Sequence, residues 1–259
     1  MKPGDLFLRG ALVLTFAMLG ACATVAPTGT TPSPAAAIDP WENWNRKVFA
    51  FNDVIDEAVL KPVATAWRDN VPAMVRQGVS NFFGNIGDVW STANQFMQGK
   101  LTNGLEMGMR VMSNTVFGIV GILDPATEFG LTRRSEDFGQ TLAVWGVGNG
   151  PYVVLPLLGP SSLRDTVALP LDRYASTTSL YFNGVNNYVV TPLQLVQLRS
   201  ELLDTTKLLD QVSLDKYSFV REAFLARRLD QIHDGAPPLA KFEDEPADDA
   251  PKAGPEKKK

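Results

Sequence analysis

The chain has 259 residues but only one Cys and one His, and just 20% of it is charged. One Cys cannot close an intrachain disulfide, and with a lone His it cannot complete a four-ligand zinc site. Lys plus Arg number 24 against 28 Asp plus Glu, a formal net charge of −4. No basic excess is available to displace phosphate counterions, so a nucleic-acid partner is not expected. Catalytic signatures are equally scarce. His233 is the only imidazole, placed where the last helix runs into an acidic tail, and there is no G-x-S-x-G elbow and no P-loop. Gly146-Val147-Gly148-Asn149-Gly150 misses the dinucleotide spacing, and Pro151 follows where a helix would have to start. The expectation is a protein that is not an enzyme, with no catalytic residue, metal or cofactor.

What is present begins with an export signal over residues 1–21. Lys2 and Arg9 precede an apolar run from Leu12 to Leu19, too short for the roughly 20 residues that a spanning helix needs. It ends Leu19-Gly20-Ala21-Cys22, which resembles a bacterial lipobox with Cys22 as the lipidation site; the alternative is an ordinary signal peptide with a chance Cys. Several acyl chains, each CH₂ worth about 0.8 kcal/mol, would hold the mature chain firmly to a membrane. Ala23 follows the Cys, where an Asp would resemble an inner-membrane retention signal, so the outer membrane facing the periplasm is expected. Residues 22–38 are a tether rich in Ala, Thr, Pro and Gly, and residues 234–259 a charged, disordered tail.

Between them, residues 39–233 read as one helical domain. Asp39-Pro40 with Glu42 predicts an N-cap and first turn, followed by an apolar stripe of Trp41, Trp44, Val48, Phe51 and Ile55. Pro72 opens a second long helix with the stripe Val75, Val79, Phe82, Ile86, Val89 and Phe96. A third begins near Thr102, with Leu105, Met109, Met112 and Val116 in register. These helices are amphipathic, and without a spanning segment they can sit in one leaflet of a membrane. Ser135 is the expected cap of a short helix carrying Phe138, Leu142 and Trp145, and Ser161 or Ser162 that of another through Leu163 and Val167. Residues 192–233 predict a Leu-rich helical hairpin or bundle, and residues 152–155 are the best strand candidate. The stretch Gly139 to Pro160 carries no charge and is broken by five Gly and three Pro. It reads either as a mobile hairpin lining a watery cavity at membrane depth or as a buried loop of a soluble core.

Ordered blocks then carry a family resemblance. Asp39-Pro40-Trp41-Glu42-Asn43-Trp44-Asn45-Arg46, Phe49-Ala50-Phe51-Asn52, Lys61-Pro62-Val63-Ala64, Trp67-Arg68 and Val71-Pro72 are similar to the opening of the MlaA (VacJ) lipoproteins. So are Asn81-Phe82-Phe83-Gly84-Asn85, Asn114-Thr115-Val116-Phe117-Gly118 and Gly121-Ile122-Leu123-Asp124. The densest match is Gly146-Val147-Gly148 with Gly150-Pro151-Tyr152, then Leu155-Pro156 and Leu163-Arg164-Asp165.

The resemblance implies an all-α, ring-like bundle of amphipathic helices around a central channel, with a Gly/Pro-rich loop or short hairpin. It implies removal of mislocalised phospholipids from the outer leaflet of the outer membrane and delivery to a soluble periplasmic carrier of the Mla pathway. A trimeric porin would be the membrane partner, and lipid asymmetry the outcome. Gly146, Gly148, Gly150, Pro151 and Tyr152 become the expected channel gate, and Phe49, Phe51 and Asn52 the expected control helix. Arg164 and Asp165 are either a headgroup contact or a structural pair. The alternatives from other classes are a lipoprotein that braces a porin or envelope complex without moving lipid, and a periplasmic lipid hydrolase.

Overall fold

The structure, a computed structural model, describes residues 38–175 and 187–238. Cys22, the tether before Ile38 and nearly all of the charged tail lie outside the described residues. The helices are α1 (Glu42–Ile55), α2 (Lys61–Asn70), α3 (Ala73–Met97), α4 (Leu101–Val116), the short α5 (Pro125–Glu128), α6 (Phe138–Val144), α7 (Leu163–Ala175), α8 (Asn187–Val212) and α9 (Lys216–Ile232). The described strands, β1 (Tyr152–Leu155) and β2 (Gly159–Ser162), form an antiparallel hairpin pairing Tyr152 with Ser162 and Leu155 with Gly159. The architecture is thus all-α with one small hairpin, as expected.

The helices begin where backbone chemistry dictates. Between α1 and α2 the residues Asp56–Leu60 make a π-turn. Pro62 would press its ring on the preceding turn of a tight α-helix, and widening that turn relieves the clash. Pro72 stands at the N-cap position of α3. Two expected caps are corrected. The N-cap position of α1 is Trp41, without a side-chain bond, because Asp39 is buried and committed to long-range partners. The cap of α6 is Asp137, whose carboxylate accepts from the Gln140 N–H at 2.8 Å, and not Ser135. Ser162 does cap α7, accepting from the Asp165 N–H at 3.1 Å. The hairpin expected at the glycines is displaced downstream: Gly146 to Gly150 form the loop that leads into it. The last helical pair also starts earlier than expected, with Pro192 inside α8.

Neighbour contacts close a circuit. α3 packs on α4 and α8, α8 on α2, α1 on β1, β2 on α7 and α9, α7 on α6, and α6 back on α3. Around this ring the two long helices bury polar residues and leave much of their apolar stripes exposed. On α3 the buried residues include Asn85, Asp88, Ser91, Asn94 and Gln95, while Val75, Val89 and Phe96 are exposed. On α4 Arg110 and Asn114 are buried, while Leu105 and Met112 are 62% and 67% exposed. The apolar stripes were legible, but they face outward. Buried polar groups need partners, and most of these atoms have them, although Asn85 Oδ1, Gln95 Oε1 and Arg110 Nε make no hydrogen bond among the described residues. Ser91 Oγ donates to the Glu136 carbonyl at 3.1 Å and accepts from the Glu136 N–H at 2.9 Å. The Thr141 hydroxyl donates to Asn94 at 2.7 Å, and Asn114 accepts from the Ala126 N–H at 3.0 Å.

Candidate functional site: a pinned hairpin and two adjoining cavities

The hairpin is seated on α1 by two asparagines. Asn45 and Asn52 stand seven residues apart, two turns, and so share a helix face. Asn45 donates to the Tyr152 carbonyl at 3.0 Å and accepts from the Val154 N–H at 2.9 Å. Asn52 donates to the Leu155 carbonyl at 2.9 Å and accepts from the Leu157 N–H at 2.8 Å. Each amide spans a carbonyl and the N–H two residues on, supplying the donor and acceptor that a neighbouring strand would offer. Asp39 fixes the first of them: its carboxylate accepts from Asn45 at 2.8 Å, from the Tyr217 hydroxyl at 2.5 Å and from Arg221 at 3.1 Å. Below lies an apolar cluster of Val48, Tyr152, Val154 and Tyr217 with Phe49, Phe224 and Leu225 packed on it. Tyr152 and Tyr217 meet edge-on at 6.2 Å, and the Tyr152 hydroxyl is buried without a hydrogen-bond partner. Burial, and then the Asp39 charge, push its ionisation well above the usual tyrosine range.

Of the residues singled out from sequence, Gly146 and Gly148 lie on an exposed loop with open space where a Cβ would stand, and Gly146 has φ +93°. Gly150 has φ +67° and a would-be Cβ only 3.0 Å from that of Leu163, so a side chain there is both strained and crowded. Pro151 accepts from the Leu163 N–H at 2.9 Å, and Tyr152 is fully buried in β1. On α1, Asn52 meets the hairpin directly and Phe49 packs edge-on against Tyr217 at 5.6 Å, whereas Phe51 is half exposed. The control-helix residues and the hairpin, 100 residues apart in sequence, are therefore in contact. Arg164 is buried beside Asp165 at 3.0 Å, and Asp165 also accepts from Arg228 at 2.9 Å. Arg228 makes two further bonds, 2.6 and 2.7 Å, to Asp137. Burial opposes ionisation of Asp137, yet the Arg228 contacts outweigh it and hold its carboxyl below the usual range.

Two cavities adjoin along α3. The first, about 1050 Å³, is lined by Met74, Val75, Gly78, Val79 and Phe82 of α3, by Ile122 and Leu123, and by Val190 and Leu193 of α8; Gln77 and Asn81 are its polar members. The second, about 320 Å³, is lined by Asp88, Ser91, Arg133, Glu136, Asp137 and Asp172 among others. Phe83 belongs to both walls, and on α8 Leu193 faces the first while the next residue, Gln194, faces the second. Burial pushes the carboxyls of Asp88, Glu136 and Asp172 above their ordinary values, although Arg133, Gln98 and Trp90 respectively counteract it. A space of roughly 300–1,000 Å³ is the size of a small-molecule site, and the pair together offers a greasy wall and a wet one. His233 lines neither cavity; it is exposed at the end of α9. Among the described residues no group of His, Cys, Asp and Glu is arranged to hold a metal ion, and no helix is long and apolar enough to cross a membrane.

The polar wall was missed in the sequence. Its signal was available: Asn85, Asp88, Ser91 and Gln95 recur at three- and four-residue steps, a polar stripe as regular as the apolar one beside it.

Comparison with known proteins agrees with this geometry. The profile of the MlaA lipoprotein family matches residues 37–231. The Escherichia coli intermembrane phospholipid transport system lipoprotein MlaA is 37% identical over 224 residues, covering 84% of this chain and 85% of that one. The Haemophilus influenzae protein of the same description is 30% identical over 201 residues, covering 76% and 80%. A solved structure, reported as the structural basis for maintenance of bacterial outer membrane lipid asymmetry, superposes with a TM-score of 0.63 at 36% identity. It covers 73% of this chain and 96% of its own. With the family profile matching residues 37–231 and identity of 30% or more over most of two relatives, the chain belongs to the MlaA lipoprotein family.

Proposed function

We propose that this protein removes mislocalised phospholipids from the outer leaflet of the outer membrane and passes them to a soluble periplasmic carrier of the Mla pathway. The route is an amphipathic channel through the helical ring. The protein is lipidated at Cys22, faces the periplasm and works beside a trimeric porin. The observation that carries this reading is the apolar cavity of about 1050 Å³ sharing Phe83 with a polar one. A phospholipid crossing unaided would drag a charged headgroup through hydrocarbon, at a cost of several kcal/mol or more. A passage that is wet on one side and apolar on the other removes most of that cost without any bond being made or broken. The outward-facing apolar residues of α3 and α4 support a lipid environment around the ring, since large exposed apolar surface marks a membrane or partner. Transport by the relatives, named for intermembrane phospholipid transport, points the same way.

In this reading the loop from Gly146 to Tyr152 gates the passage, and Asn52 with Phe49 holds it from α1. Arg164 and Asp165 act as structural members of the Arg228 cluster. Deleting the protein should expose phospholipid at the cell surface. Val79→Trp, which fills the apolar cavity, should do the same at normal protein abundance, as should Gly146→Pro. Unchanged surface lipid in the deletion strain would end the proposal. Reconstitution with a porin, a carrier and labelled phospholipid separates the rival readings. Delivery of intact lipid supports transport, released fatty acid would mean hydrolysis, and neither would mean a brace.

A further inference from the structure

We infer that Arg133 is a binding residue for the phosphate of a phospholipid headgroup, seated in the wall of the polar cavity; this rests on the transport reading above. Arg133 lies on the loop between α5 and α6 and lines the polar cavity. Its guanidinium is laid across α3 at Gly84, the residue next to Phe83. A Cβ at position 84 would stand 2.7 Å from Nη1 and 2.8 Å from Cζ, so only glycine lets the group rest there. Nε donates to Asp88 at 2.8 Å, and the Asp88 side chain is only 2% exposed. That bond fixes the plane of the guanidinium. The two η nitrogens make no hydrogen bond among the described residues, and the side chain is 41% exposed. An arginine anchored at Nε with its fork open is the geometry that reads a phosphate oxygen pair.

The neighbouring carboxylates do not compete for the fork. Glu136 is held by Gln98 at 2.8 Å and Lys100 at 3.3 Å, Asp137 by Arg228, and Asp172 accepts from the Trp90 indole at 2.7 Å. Their charge nonetheless disfavours a dianion, so free inorganic phosphate is a poorer ligand here than the monoanionic phosphodiester of a lipid. The apolar cavity across Phe83 supplies the place for the acyl tails.

The test uses the full-length lipoprotein in maltoside micelles, titrated with a labelled short-chain phosphatidylglycerol. Loss of a charge-assisted contact should weaken binding about tenfold in Arg133→Gln, about 1.4 kcal/mol. Gly84→Ala should weaken it as well while the melting temperature holds, because the added methyl meets the movable end of a side chain and no backbone. Arg134→Gln serves as control, since Arg134 pairs with Glu106 at 2.5 Å and lines neither cavity. Wild-type-like affinity in both Arg133→Gln and Gly84→Ala overturns the inference alone. Displacement of the lipid by equimolar inorganic phosphate overturns the lipid as its source. If the unaltered protein fails to bind the phospholipid at all, the transport reading falls with it. Should Arg133→Gln unfold, Gly84→Ala decides.

Discussion

The α3–α4 pair and the seat of the hairpin pack in opposite senses within one chain. Around the hairpin, Val48, Tyr152, Val154 and Tyr217 form an ordinary apolar core, with aromatic edges at 5.6–6.2 Å. Across α3 and α4 the inside is made of Asn85, Asp88, Ser91, Asn94 and Arg110, and the aliphatic stripes point away. The difference is the one that two kinds of surroundings would produce. The hairpin region is stabilised by removing apolar surface from water. The long helices would gain nothing by burying their stripes if their outer neighbour were itself apolar, and polar bonds fill much of their interior.

The comparison makes the largest claim about Tyr152. Tyr152→Ala should cost about 3–5 kcal/mol, the usual range for emptying a buried aromatic site. Tyr152→Phe should cost nothing and can raise the melting temperature, because it removes a buried hydroxyl with no partner. A destabilised Tyr152→Phe would reveal a partner for that hydroxyl and blur the distinction between the regions. Next in size is Asn94→Leu. In a normal core more apolar volume would be welcome, but here it should cost about 1 kcal/mol by leaving the Thr141 hydroxyl only its longer bond to the Asp137 carbonyl, at 3.3 Å. A stabilised variant, judged by thermal melting, would contradict the inverted packing.

Smaller still is the effect of paired Leu105→Ser and Met112→Ser on stability, expected within about 0.5 kcal/mol. In a Cys22→Ser background, flotation with phospholipid vesicles should nevertheless fall. Unchanged flotation would mean that the α4 stripe faces something other than lipid.

The least effect concerns pH. Asp88, Glu136 and Asp172 have carboxyls raised by burial above ordinary values of 3.8, 4.5 and 3.8, so the folded chain holds those protons more tightly than the unfolded one. Lowering the pH toward their raised values therefore favours the fold through these groups. Asp137 behaves oppositely: its stabilisation by Arg228 is present above 3.8 and is lost as the pH drops through its lowered value. Melting temperature should hold or rise slightly down to pH 5 and drop only below about 4. A steady fall between pH 7 and 5 would show that the buried carboxylates are better paired than their surroundings suggest.

Much of the fold could be read directly. Proline at 72, the three- and four-residue periodicity after it and the Leu-rich close placed the long helices within a few residues. The strand at 152–155 was also legible from its flanking prolines. Its partner Gly159–Ser162 was not, because a Gly-Pro-Ser-Ser segment has no strand propensity of its own and pairs only because β1 is held on α1. Asp39 misled for a related reason. A carboxylate before a helix is a cap by default, but here Tyr217 and Arg221, nearly 180 residues away, offer it stronger partners. At the candidate site, Asn52 was found through family resemblance and the glycine loop through its composition. Arg133 was not found, since the bond that places it, to Asp88 45 residues away, exists only in the fold.

The sequence by itself determined which residues are helical and which of them share a face, because periodicity and backbone chemistry are local. Only the tertiary structure decided which face turns inward. That choice depends on what lies outside the ring, and a hydrophobic stripe reads the same whether its neighbour is a protein core or a lipid tail.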